Sequence, residues 1–332
     1  MNAVTSTLGK TSKPGAFTWL LKREFWENRG GFFWAPVITG GIFVVLNLIL
    51  AVIGSIAARG KLSDGGFSIE EAPEKAHQIL GGVGDGMLLG GVILACVVLA
   101  FVVFFYALGT LYDDRRDRSV LFWKSLPVSD THMVLSKLAW ALVLAPLLAI
   151  SVGILIGLAL WLISALTISI NGLPAGTAVF THSHPLRIIG GVIASLPVYI
   201  LWALPAIGWL MFCSAWARSK PFLWAVLVPV LACVIISMTD ILPGLNVRHD
   251  LIWYTVVYRG LLSVVPGTWF PTLPGGAANP HADINTPDQL ANAIDLTRSW
   301  HAFATADLWI GAVIGVVLII GAIYLRRWRE SE

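Results

Sequence analysis

Residues Met87 to Tyr112 read MLLGGVILACVVLAFVVFFYALGTLY and contain no charged side chain. A hydrocarbon core about 30 Å thick needs roughly 20 helical residues to cross it, and a soluble helix of this composition would have no polar face to turn toward water. The stretch therefore reads as a membrane span, and it is not alone. Phe32 to Ala57, Leu138 to Ile170, Ile188 to Trp216, Phe222 to Ile241 and Leu308 to Leu325 share its character, which gives an all-α integral membrane protein with six transmembrane helices. The chain of 332 residues is 57% hydrophobic and 12% charged, against about 25% charged in an average soluble chain, so a water-soluble enzyme and a disordered chain are both excluded. The third segment is too long for one crossing and must tilt, project or break, with Pro146 a natural place for a break. The first apolar run is too long for a signal-peptide core and no cleavage site follows it, so the N-terminus is expected to stay in the chain.

Lysine and arginine set the orientation, because positive loops resist translocation. With both termini in the cytoplasm, only Arg59, Lys61, Lys75, Arg187, Arg248, Arg259 and Arg298 of the 22 basic residues fall outside. Trp34, Trp140, Trp216, Trp224, Trp309 and Trp328 sit near expected span ends, where an amphipathic ring straddles the headgroup level. Trp161 and Trp202 lie within spans and read as packing or lipid-facing residues. The net charge of +3 indicates no nucleic-acid partner, and Cys96, Cys213 and Cys233 fall in apolar runs that make no disulfide framework.

Ahead of the first span, Phe17, Leu20, Leu21 and Phe25 fall at helical spacing, with Lys22, Arg23, Glu24, Glu27 and Asn28 elsewhere around the turn. This is the pattern of an interfacial amphipathic helix, either a simple anchor or an elbow that transmits motion. Ser68 with Glu71, and Thr286-Pro287-Asp288-Gln289, read as starts of short outer helices. Between the fifth and sixth spans, Leu251 to Val265 is apolar but interrupted by Arg259, and a Pro- and Gly-rich stretch follows. It is too short to span comfortably, so a re-entrant or interfacial hairpin is expected, with a seventh helix as the alternative.

The connection between the second and third spans reads Asp113-Asp114-Arg115-Arg116-Asp117-Arg118-Ser119-Val120-Leu121-Phe122-Trp123-Lys124-Ser125-Leu126-Pro127-Val128-Ser129-Asp130. Charge gives way to an apolar knob and then to a proline break. Such a segment fits a groove on a second protein, although its composition equally suits a solvated loop on lipid headgroups. The run from Asp114 to Lys137 resembles the corresponding cytoplasmic connection of ABC-2 type transporter permeases, which has an acidic and arginine-containing start, a short apolar helix, a Ser-Leu-Pro-Val-Ser-like turn and a lysine re-entering the membrane. The resemblance implies a coupling helix around Arg118 to Pro127 that docks on a separate cytoplasmic ABC ATPase. In it Arg115, Arg116, Arg118 and Lys124 would face acidic groups, Phe122 and Trp123 would fill the groove, and Pro127 would end the helix. It further implies a dimer with a second permease copy or paralogue, ATP and Mg held by the partner ATPase, and a bacterial inner membrane location.

Signals for chemistry within the chain are weak. Gly9-Lys10-Thr11 matches the end of a phosphate-binding loop, but Val4 stands where that loop needs glycine. His182 and His184 lack further metal ligands nearby, and Asp240 reads as a residue at the membrane edge. The near absence of ionisable groups within spans argues against an ion-driven carrier. Gly86 and Gly90, Gly153 and Gly157, and Gly311 and Gly315 are spaced for close helix approach, within the chain or between chains. The expectation is a cytoplasmic N-terminus (1–30), a six-span domain (31–325) and a basic tail (326–332). The function expected is export of a hydrophobic or amphipathic substrate, with a non-transporting scaffold or sensor as the alternative and a lipid-modifying enzyme as a third reading.

Overall fold

The computed structural model describes residues 14–62, 73–117, 129–170, 178–238, 248–273 and 296–329, and among them no strand occurs. Among the described residues, five helical stretches are long and apolar enough to cross a membrane: Phe17–Ala57, Leu80–Arg116, Asp130–Ile170, Val179–Trp216 and Ala306–Trp328. The protein is an all-helical, multi-pass membrane protein.

The first stretch joins α1 (Pro14–Arg29) to α2 (Ala35–Leu62) through a π-helical turn, Gly30–Trp34. The third joins α4 (Asp130–Ala139) to α5 (Ala145–Ile170) through a second π-turn, Trp140–Leu144. A third π-turn, Leu223–Leu227, leads into α9 (Val228–Ser237). All three have one cause. Pro36, Pro146 and Pro229 each occupy the second position after their turn, where a proline has no N–H to donate and its ring clashes with the carbonyl four residues back. The backbone widens instead: the N–H groups of Ala35, Ala145 and Val228 reach back five residues to the carbonyls of Gly30, Trp140 and Leu223. The break expected at Pro146 is therefore a π-turn just before it.

The first two π-turns pack on each other. Phe32 and Trp140 stack at 5.1 Å, and Phe25 of α1 also stacks on Trp140 at 5.6 Å. The indole Nε1 of Trp140 donates to the Leu21 carbonyl at 2.7 Å. Trp140 is thus 6% exposed and holds helices together, which corrects its expected place at the headgroup level. Trp34, Trp216, Trp224, Trp309 and Trp328 are exposed. In α1 the side bearing Leu20 and Glu24 turns inward while Trp19 and Trp26 face out, so Glu24 of the expected polar face is buried while Lys22 and Glu27 stay exposed.

Between these stretches run α3 (Pro73–Arg116), α6 (Ala178–His182), α7 (Pro185–Ala194) and α8 (Leu196–Trp216). Helix α3 starts at Pro73, well ahead of the expected span. The core is built on α8, whose Trp202, Ile207, Leu210 and Met211 are fully buried. The expected fifth span corresponds to the shorter apolar helix Leu223–Ser237; Asp240 and Ile241 lie outside the described residues. This helix begins beside Trp216, which meets Trp224 edge to face, and ends where Ser237 accepts a hydrogen bond from Trp253. Next comes α10 (His249–Trp253), which continues as a π-turn over Tyr254–Arg259 and then breaks into short 3-10 turns at Leu262–Val264 and Phe270–Thr272. The helical run is about half the length of a crossing, so a seventh span is not found there. A further 3-10 segment, Leu296–Ala304, precedes the last helix, α11 (Ala306–Arg329).

Two of the three glycine pairs serve packing within the chain. A Cβ on Gly157 would lie 2.3 Å from the Leu88 carbonyl oxygen of α3, and one on Gly315 would lie 2.6 Å from the Leu204 backbone of α8. Gly311 leaves room for the Arg259 guanidinium, whereas Gly86 and Gly90 face open space. Gly157→Leu should therefore destabilise the detergent-solubilised protein by about 1–3 kcal/mol in a circular-dichroism melt. Gly90→Leu should leave the melt unchanged.

Candidate functional site: a buried ionic cluster at the root of the 118–128 segment

Four charged side chains from four elements meet at the end of the bundle that holds both α1 and the last turns of α11. Glu24 (1% exposed), Asp114 (7%), Lys137 (3%) and Arg326 (4%) are withdrawn from solvent together. Lys137 Nζ lies 2.9 Å from Glu24 Oε1 and 3.4 Å from Asp114 Oδ1, and donates to Thr110 Oγ1 at 2.9 Å. The Tyr106 hydroxyl donates to Glu24 Oε2 at 2.8 Å, so both oxygens of that carboxylate are engaged. Arg326 Nη1 lies 3.3 Å from Asp114 Oδ2, and its Nε lies 3.8 Å from the half-buried Asp130. Two buried cations thus balance two buried anions, with Asp130 at the edge. Burial of charge is tolerable only under such neutralisation, and removing one partner leaves the other uncompensated in a low-dielectric setting.

Local sequence puts each group in place. Ser129 caps α4, its hydroxyl accepting from the His132 N–H, which sets the helix that carries Lys137. Asp114 sits one turn beyond Thr110 on α3, so both face Lys137 from one side of that helix. Arg115, the next residue, turns toward α8: its guanidinium donates to the carbonyls of Ser214 at 2.5 Å and Ala217 at 3.0 Å, while the Ser214 hydroxyl accepts from the N–H groups of Leu111 and Tyr112. Arg115 therefore caps the end of α8 within the chain, whereas Arg116 is exposed. The other residues expected at the coupling contact, Arg118, Phe122, Trp123, Lys124 and Pro127, lie outside the described residues. The residues expected of the interfacial helix do pack inward: Phe17 meets the His132 ring, Leu21 accepts from Trp140, and Phe25 stacks on Trp140.

A second buried charge lies toward the opposite end. Arg259 is 5% exposed and stacks on Trp202 with its guanidinium 3.6 Å from the ring centroid. It donates to the Trp202 carbonyl at 2.7 Å and the Asp307 carbonyl at 3.1 Å, and its Nε lies 3.4 Å from the Asp307 carboxylate. Tyr254 donates to that carboxylate at 2.5 Å. Arg259, which interrupts the apolar stretch in sequence, fastens the turn after α10 to both α8 and α11. The two histidines are apart in role: His182 contacts Thr181, and the backbone N–H of His184 donates to Asp85 at 2.7 Å. No group of three metal-ligand side chains occurs among the described residues.

Comparison of the chain with protein-family models, with curated proteins and with solved structures finds no match.

The cluster makes a direct prediction. Lys137→Met should cost about 3–5 kcal/mol, because two carboxylates would then share one buried cation. The double variant Glu24→Gln/Lys137→Met restores a balanced Asp114–Arg326 pair, and its loss in a thermal melt should be well below the sum of the two single losses. Additive losses would show that the groups are not coupled.

Proposed function

We propose that the chain is the permease subunit of an ABC-2 type exporter in a bacterial inner membrane, paired with a second permease copy or paralogue. A separate ATPase binds ATP and Mg and drives alternating access, and a hydrophobic or amphipathic substrate leaves across the membrane. The observation that carries this reading is the ionic cluster. It gathers α1, the end of α3, the start of the third crossing and the end of α11 at the two roots of residues 118–128, so a push on that segment acts on four elements together. A positive-inside loop that only rests on headgroups has no need of such a foundation.

An even number of crossings suits the same reading. Glu24 and Arg326 share one cluster, so the chain between them crosses an even number of times. Five long helices together with the shorter apolar helix Leu223–Ser237 agree with a six-span reading, and the excess of basic residues at the cluster end favours cytoplasmic termini.

The test is affinity purification of the tagged chain from its own host in mild detergent. An ATPase should co-purify, and Phe122→Ala/Trp123→Ala or Arg116→Glu should reduce its recovery about tenfold or more, as expected for anchors of an interface. Arg115 is unsuitable for this purpose, since its change would uncap α8. Absence of any ATPase with the intact protein would favour the scaffold reading.

A further inference from the structure

A groove of about 580 Å³ runs beside the ionic cluster, between the end of α1 and the face of α3 that carries Phe101, Phe105, Gly109 and Asp113. Its two ends differ in chemistry. Phe101 and Phe105 are 64% and 57% exposed, so aromatic surface lies open at the end nearer the membrane centre. Glu27, Asp113 and Asp114 line the other end, with Lys137 at its floor. From Phe101 to Asp113 the helix rises about 18 Å, so the groove follows the bilayer from acyl-chain depth to headgroup depth.

Most of its charge is already matched. Glu27 holds Arg23 at 2.6 Å, and Asp114 is shared by Lys137 and Arg326. Asp113 is different: among the described residues its carboxylate has no hydrogen-bond or ion-pair partner. Asp113 is exposed, but its carboxylate does not simply extend away from the helix. A Cβ built on Gly109 would lie 2.7 Å from Asp113 Oδ2, so the carboxylate folds back one helical turn toward the membrane over the notch that glycine leaves. One unmatched negative charge therefore sits at the head of an aromatic track.

We propose that this groove binds an amphiphile with a single cationic amine head, drawn from the leaflet at that end of the bundle. The amine pairs with Asp113, and the alkyl or aryl tail lies on Phe101 and Phe105, whose ring faces also attract a cation as it passes. Charge complementarity selects this occupant over a zwitterionic phospholipid. A phosphate would need a free cation, and the one in the described lining, Lys137, already directs its three protons at Glu24, Thr110 and Asp114. In the exporter reading this is where cargo enters, and the inference rests on that reading to that extent; its test does not.

The experiment is photolabelling of the purified full chain in phosphatidylcholine nanodiscs. The probes are a dodecylammonium and a dodecyl sulfate that carry the same diazirine in the tail, and adducts are mapped by mass spectrometry. The ammonium probe should label the Phe101–Asp113 stretch about tenfold more than the sulfate probe, and Asp113→Asn should remove most of that excess. Gly109→Ala, which keeps the carboxylate but crowds it out of the notch, should lower labelling as well. Intact helicity and unchanged labelling elsewhere identify folded variants. Equal labelling by both heads, or full labelling of Asp113→Asn, would overturn the proposal. So would loss of the adduct when phosphatidylethanolamine replaces phosphatidylcholine, since bulk lipid would then be the occupant. The assay contains no ATPase, so a negative result removes the groove site and leaves the exporter reading as it stands.

Discussion

A lysine that is 3% exposed inside a membrane protein has few ways to exist. Left alone, its charge would cost several kcal/mol of desolvation, and neither water nor lipid tails can relieve it once helices close around it. Lys137 must therefore be met by carboxylates from helices that are not its own, and Glu24 on α1 and Asp114 on α3 do this. Two buried carboxylates against one lysine leave an excess negative charge, and Arg326 near the end of α11 supplies the second cation, on Asp114. Neutrality thus dictates assembly: the ends of four elements are specified by the need to cancel one another. An N-terminal helix that would otherwise float on the interface is fixed to the bundle by Glu24, with Tyr106 holding the second oxygen.

Proline shapes the same end of the molecule. The three helices that leave it, through α2, α5 and α9, each carry a proline two residues beyond a π-turn. In a bilayer the carbonyl freed by a proline cannot turn to solvent, so the backbone must find another register, and the five-residue step provides one. Phe32 and Trp140 each belong to one of these turns, and their stacking lets two irregular segments share a surface. Deeper in the bundle the helices instead approach through glycine, with Gly157 against Leu88 and Gly315 against Leu204.

Length and charge made the spans legible in the sequence, because a run such as Met87 to Tyr112 has no other stable setting. The break near Pro146 was legible too, since a missing N–H is a local fact. Its π form was not, although the proline two residues past each turn repeats in three helices and was there to be seen. The cluster was half legible. Lys137 stood out as a cation entering an apolar run, but its partners lie 23, 113 and 189 positions away in the chain as Asp114, Glu24 and Arg326, and no local pattern pairs them. Glu24 read as part of a solvated face because amphipathic spacing records which residues are polar, not whether a buried cation awaits them. Arg115 read as an outward charge through the resemblance, whereas the carbonyls at the end of α8 claim it. The headgroup reading of Trp140 failed because position near a span end does not reveal a neighbouring π-turn with an open aromatic face.

Asp113 and Asp114 are adjacent in sequence and about 100° apart around α3, and the two directions have different consequences. Asp114 faces inward and completes a neutral cluster that sets where the end of the helix lies. Asp113 faces the groove and folds toward the membrane over Gly109, with no ion pair of its own although the Arg116 and Lys137 charges act on it. A cation held there would add positive charge beside Lys137 and Arg326, against which only Glu24 and Asp114 are fully buried. The balance that fixes α1, α4 and α11 to α3 would loosen by that repulsion, at the turn of α3 from which residues 118–128 depart. A cation in the groove would therefore act on the cluster through one helical turn, by shifting the electrostatic balance at that turn of α3.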